Sequence, residues 1–146
     1  MGDRMETHTL FHTIHQLSRQ LTKQVNDTLQ PFGLYSAQWA VLFVLKTKGQ
    51  MSQSALCEYL AVEAPPMTRT IQRLAKQGYV GQTPGEDKRV KVIHLTEKAQ
   101  QAYPEWERAV LSMNDRLLEC VPEEQRVFMQ SLLNEWLGKM KGDLHE

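Results

Sequence analysis

After Gly78 the spacing of apolar residues changes from three and four to two, and at Thr96 it changes back. Side chains return to one face every second residue in a strand and every three to four in a helix, so the change marks a pleated element between helices. Tyr79 to Thr83 and Val90 to Leu95 read as two strands around the turn-forming Pro84-Gly85-Glu86-Asp87. The expected fold is therefore mainly α with a small β-hairpin. The hairpin has a charged tip and follows two short helices directly.

Those two helices are punctuated clearly. Ser52 is expected to cap the first, which runs to about Leu60 with Leu56 and Leu60 inward. After a break at Val62-Glu63-Ala64, Pro65 and Pro66 suit the first turn of the second, where a missing N–H costs nothing. It continues through Met67, Ile71 and Leu74 to Gly78, its C-terminal stop. Two short helices joined by a tight turn form a helix-turn-helix candidate, and the hairpin after them makes it a winged helix-turn-helix.

The remaining elements are helical. Leu10, Ile14, Leu17, Leu21, Val25 and Leu29 form one stripe, ended by Pro31 and Gly33. Ser36 is the expected N-cap of a helix running to about Thr47, with Gly49 as its left-handed stop. That helix is apolar all round, which predicts the buried centre of the domain. Thr96-Glu97 opens a helix to about Glu119 with Trp106, Val110, Met113, Leu117 and Leu118 on its apolar side and a kink expected at Pro104. The last helix starts at Pro122, has Glu123 and Glu124 at its positive dipole end, and carries Phe128, Leu132, Leu133, Trp136 and Leu137. A module as small as the winged helix can hardly cover three further apolar stripes, and pairing with a second copy is the simplest way to bury them.

A formal net charge of zero argues against a nucleic-acid partner until it is divided along the chain. Residues 1 to 64 balance, residues 65 to 91 carry six basic and two acidic groups, and residues 92 to 146 carry six basic and ten acidic. The basic stretch suits an anion on one face, with the acidic part kept away from it. The longest apolar run, Trp39 to Leu45, is far too short to cross a bilayer, and the polar segment Met1 to Thr9 has no leader-like pattern. A cytoplasmic protein without membrane contact is expected. Cys57 and Cys120 lie far apart and offer neither a zinc pair nor a disulfide framework, so reduced thiols are expected.

At Pro66-Met67-Thr68-Arg69-Thr70-Ile71-Gln72-Arg73-Leu74, Gly78-Tyr79-Val80, Asp87-Lys88-Arg89 and Leu95-Thr96 the chain resembles the MarR (multiple antibiotic resistance regulator) family. The specificity lies in the ordered set and its spacing, and the element order extends the resemblance over nearly the whole chain. It implies one MarR-like domain over 1–146, with a winged helix-turn-helix DNA-binding region at 35–96 and dimerisation helices at 8–31 and 97–141. It further implies a transcription regulator, most simply a repressor, that binds a pseudo-palindromic operator as a homodimer and is released by a small aromatic acid. The second helix of the motif would enter the major groove and the wing the adjoining minor groove.

Under that resemblance double-stranded DNA is the partner. Thr68 and Arg69 are expected at base edges or phosphates, and Arg89 at the minor groove. Ser52, Ser54 and Thr70 are expected phosphate contacts, with Pro66, Arg73, Lys88 and Lys91 completing the set. Two positions depart from the family pattern. Gln72 stands where an acidic residue often pairs with the wing arginine, and Gly81-Gln82 where an arginine often follows the Gly-x-Val segment.

Other readings compete with this one. The basic stretch can be read as a solvated surface, and some winged helices bind proteins rather than DNA. His8, His12 and His15 share one helical face, which suits either a metal or plain exposure, but no further ligand is placed to complete a site. Cys57 is expected in packing rather than redox sensing, and Trp39, Tyr35, Phe11 and Phe43 in the core rather than a ligand cage. No phosphate loop, nucleophile elbow or acid-base pair is present, so neither an enzyme nor a cofactor is expected.

Overall fold

A computed structural model describes residues 4–143. The order is α1 (Arg4–Leu29), a 3-10 turn (Gln30–Phe32), α2 (Ser36–Lys48), β1 (Met51–Ser52), α3 (Gln53–Leu60), α4 (Ala64–Lys76), β2 (Val80–Pro84), β3 (Lys91–Leu95), α5 (Glu97–Leu117) and α6 (Glu123–Asp143). The chain divides into two compact units, Met1–Val110 and Leu111–Glu146, with the boundary inside α5.

The first unit holds the winged helix. Its core is built from Leu34, Val41, Leu42, Val44 and Leu45 around α2, Leu56 of α3, Met67, Ile71 and Leu74 of α4, and Ile93 of β3. Ala99, Tyr103 and Trp106 of α5 are buried as well. Tyr103 stacks on Trp39 with ring centroids 5.4 Å apart, and Trp106 meets Tyr79 edge-on at 4.7 Å. The Tyr103 hydroxyl has no hydrogen-bond partner. Burial raises its pKa above the usual phenol value, and the Glu107 carboxylate adds to the rise, so the phenol stays neutral.

The sheet has three antiparallel strands in the order β1-β3-β2. Strands β2 and β3 form the expected hairpin, with Val80 opposite Leu95 and Pro84 opposite Lys91, so Pro84 ends a strand instead of opening the turn. The third strand is an addition to the expected pair. Met51 pairs with Ile93 and Ser52 with Val92, which ties the start of the helix-turn-helix to the wing.

Several boundaries differ from those the sequence predicts. Tyr35, not Ser36, caps α2: the Gln38 side chain accepts from the Tyr35 backbone N–H at 2.8 Å, and Ser36 N–H donates to Asn26 Oδ1 of α1 at 2.6 Å. Gly49 has the positive φ expected of it, at 89°, but an extended ψ of −173° rather than a left-handed helical one. Helix α2 is not buried all round, since Phe43 is exposed and Trp39 half-buried. Tyr35 and Phe11 are exposed as well, so of the four aromatics expected in the core only Trp39 reaches its edge. The reason is phase. Trp39 and Phe43, one turn apart, share one side of α2, while Val41, Val44 and Leu45 point away from it and form the buried side together with Gln38 and Leu42.

Helix α1 begins at Arg4, earlier than its apolar stripe, and only Leu29 of it is fully buried. Leu10, Ile14, Leu17 and Leu21 are exposed in the single chain. Helix α5 runs unbroken through Pro104. In the second unit the Arg126 guanidinium clasps the turn before α6, donating to the carbonyls of Val121 at 2.7 Å and Leu118 at 2.6 Å. Phe128, Leu132, Leu133 and Leu137 of α6 are exposed.

Candidate nucleic-acid interface

Helix α4 is divided lengthwise. Met67, Ile71 and Leu74 recur at four and three residues and are buried, which leaves Arg69, Gln72, Arg73 and Lys76 on the exposed side. Pro65 and Pro66 open the helix, and Gly78, with φ of 83°, lets the chain turn into β2. The Gly78 carbonyl accepts from the Thr96 hydroxyl at 2.6 Å, and the same hydroxyl oxygen caps α5 by accepting from Ala99 N–H at 3.2 Å. One threonine thus joins the end of α4 to the start of α5.

The expected contact residues fall on three neighbouring pieces of the first unit. Arg69 and Arg73 are exposed on α4, and Pro66 is exposed in its first turn. Thr70 is half-buried and its hydroxyl donates to the Pro66 carbonyl at 3.1 Å. Thr68 is also engaged: it donates to the Ala64 carbonyl at 2.9 Å and accepts from Gln53 Nε2 at 2.7 Å. Its hydroxyl hydrogen is therefore already used within the chain. Ser52 caps α3 by accepting from Ala55 N–H at 3.1 Å, and Ser54 is exposed in the first turn of that helix.

Lys88, Arg89 and Lys91 are exposed on the wing. The Arg89 side chain is 94% exposed, and its guanidinium lies 3.9 Å from Asp87, whose carboxylate also accepts from Arg89 N–H at 3.1 Å. Gly85 is required at the turn, because an added Cβ would lie 2.8 Å from Val92 Cγ2 and 3.1 Å from the Val90 carbonyl. An open notch between the start of α3 and the wing is lined by Ser52, Gln53, Ser54, Gln82, Arg89 and Lys91, among others. Gln53 is not legible here from the sequence, since glutamine carries no signal of its own, whereas Gln82 stands in the segment where the resemblance leads one to expect an arginine.

Among the described residues no group of three or more His, Cys, Asp or Glu is arranged to hold a metal, and His8, His12 and His15 are all exposed on α1. Cys57 is half-buried and Cys120 exposed, both free thiols. No helix among the described residues is long and apolar enough to cross a membrane.

Comparison with known proteins agrees with this geometry. Residues 34–99 match the winged helix DNA-binding domain family. The chain is 42% identical over 128 residues to the uncharacterized HTH-type transcriptional regulator YwoH of Bacillus subtilis (strain 168), covering 88% of this chain and 93% of that protein. A MarR transcriptional regulator from Methanosarcina mazei Go1 has the same fold with a TM-score of 0.81 at 24% identity, over 92% of this chain and 98% of its own. A mutant MarR from E. coli complexed with operator DNA also has a TM-score of 0.81, at 23% identity over 93% and 99% of the two chains.

Proposed function

The chain belongs to the MarR family of winged helix-turn-helix transcription regulators, and on that premise we propose that it represses by binding a pseudo-palindromic operator as a homodimer. The observation that carries the reading is the division of α4, with its apolar side in the core and Arg69 and Arg73 outward, beside a wing that holds Lys88, Arg89 and Lys91 outward. A helix fits the major groove, and an arginine there pairs with guanine through two parallel hydrogen bonds. Phosphate contacts from Ser54 and Lys91 orient the module without reading sequence. Thr68 helps to hold α4 on α3 through Gln53.

The operator complex of the E. coli relative supports the partner, and the exposed stripes of α1 and α6 support the homodimer. Burying Leu10, Ile14, Leu17 and Leu21 against a second copy removes apolar surface from water. Release by a small aromatic acid rests on the family resemblance. Such a ligand acts only by binding the DNA-competent and incompetent conformations with different affinity.

Selection of bound sequences from a random duplex pool tests the reading. The expected result is an inverted repeat with half-sites about 10 base pairs apart, bound by two chains. Arg69→Ala then costs about 1–3 kcal/mol on that operator and relaxes one base position per half-site. A folded chain that enriches no sequence at low salt contradicts the DNA reading and favours a protein partner. A panel of phenolic and carboxylic compounds that leaves the complex intact contradicts the release step.

A further inference from the structure

We propose that Gln77 is a positioning residue that ties the recognition helix α4 to the α1–α2 junction, and so sets the half-site spacing that the dimer accepts. The inference rests on the homodimer and operator reading above. Gln38 is buried, with 3% exposure, and both ends of its amide are engaged. Its Oε1 accepts from Tyr35 N–H at 2.8 Å and its Nε2 donates to Gln77 Oε1 at 2.7 Å. Gln77 Nε2 in turn donates to the Gly33 carbonyl at 2.8 Å. One amide at the C-cap of α4 therefore grips both sides of the turn between α1 and α2.

The surrounding bonds make this a joint rather than a single contact. Asn26 of α1 holds Ser36 N–H at 2.6 Å, and Lys98 of α5 donates to the Gln77 carbonyl at 2.7 Å. Helix α4 is also anchored by apolar contacts through Met67, Ile71 and Leu74, which are not directional, and by the Thr68–Gln53 bond at its opposite end, which leads only to α3. The Gln77 amide leads instead to Gly33 and Gln38 at the junction that follows α1, and α1 carries the exposed apolar stripe that the dimer would cover. A primary amide is needed, because Gln77 must accept through oxygen and donate through nitrogen at once. Without it α4 can tilt on its apolar bed while its reading face stays intact.

The test uses the full chain, its selected operator, and versions with one base pair inserted or removed between half-sites. Wild-type protein should discriminate against both altered spacings. In Gln77→Ala and in Gln77→Met, which keeps the side chain's length, that discrimination should fall by about fivefold or more, the lower range of coupling between sites. Affinity for an isolated half-site should stay at the wild-type value. Gln38→Leu should act like Gln77→Ala, and the double variant should be no worse than either, since the two amides form one relay. Variants that lose affinity equally for every spacing, or keep wild-type discrimination, overturn the proposal. A wild-type chain that selects no operator overturns the parent reading instead.

Discussion

Replacing Arg89 by Ala separates a phosphate or minor-groove role from a structural one. The side chain is 94% exposed and its ion pair with Asp87 spans 3.9 Å in open solvent, so screening leaves it little influence on folding. The melting temperature should not move. On DNA each lost phosphate contact makes the dependence of log affinity on log salt shallower by about 0.9, and a dimer loses two, so the slope should change by roughly 1.8. Between about 50 and 200 mM salt, the advantage of wild type over the variant should therefore shrink roughly tenfold. Fluorescence anisotropy across a salt series reads this directly. Arg89→Lys should restore the slope but not any preference for a narrow A·T-rich minor groove, because the charge is kept and the planar fork is not. Parallel salt plots for wild type and Arg89→Ala would place Arg89 away from the DNA.

Two further outcomes follow from packing and capping. Thr96→Val removes the N-cap of α5 and the bond to Gly78, and should cost about 1–2 kcal/mol in urea unfolding, while Thr96→Ser keeps most of it. Phe128→Glu with Leu132→Glu places charge on the exposed stripe of α6; light scattering at micromolar concentration should then report a folded monomer, and an unchanged dimer would remove α6 from the interface.

Much of this fold is legible in the sequence because it is written in periodicity. Met67, Ile71 and Leu74 mark the buried side of α4, and Gly78 marks its end, as the structure has them. Strand β1 is not legible, since Met51 and Ser52 are too few to show alternation and their pairing with β3 is a tertiary event. Ser36 looks like a cap by composition, but Gln38 and Asn26 supply the bonds to that turn from three and ten residues away. The exposure of Tyr35 and Phe43 escapes sequence reasoning because an apolar side chain does not reveal which phase of a nearly apolar helix faces inward. At the candidate interface, charge and order pick out the arginines. They do not pick out the amides of Gln53, Gln38 and Gln77, whose roles exist only once distant elements meet.

In the proposed complex two copies of α4 read one face of a duplex together. The most direct measurement of this is the affinity for the selected operator against the same operator with five base pairs inserted between its half-sites, about half a helical turn. The insertion should carry one recognition helix to the wrong side of the duplex and reduce affinity to that of a single half-site. Equal affinity for the two duplexes would contradict that arrangement.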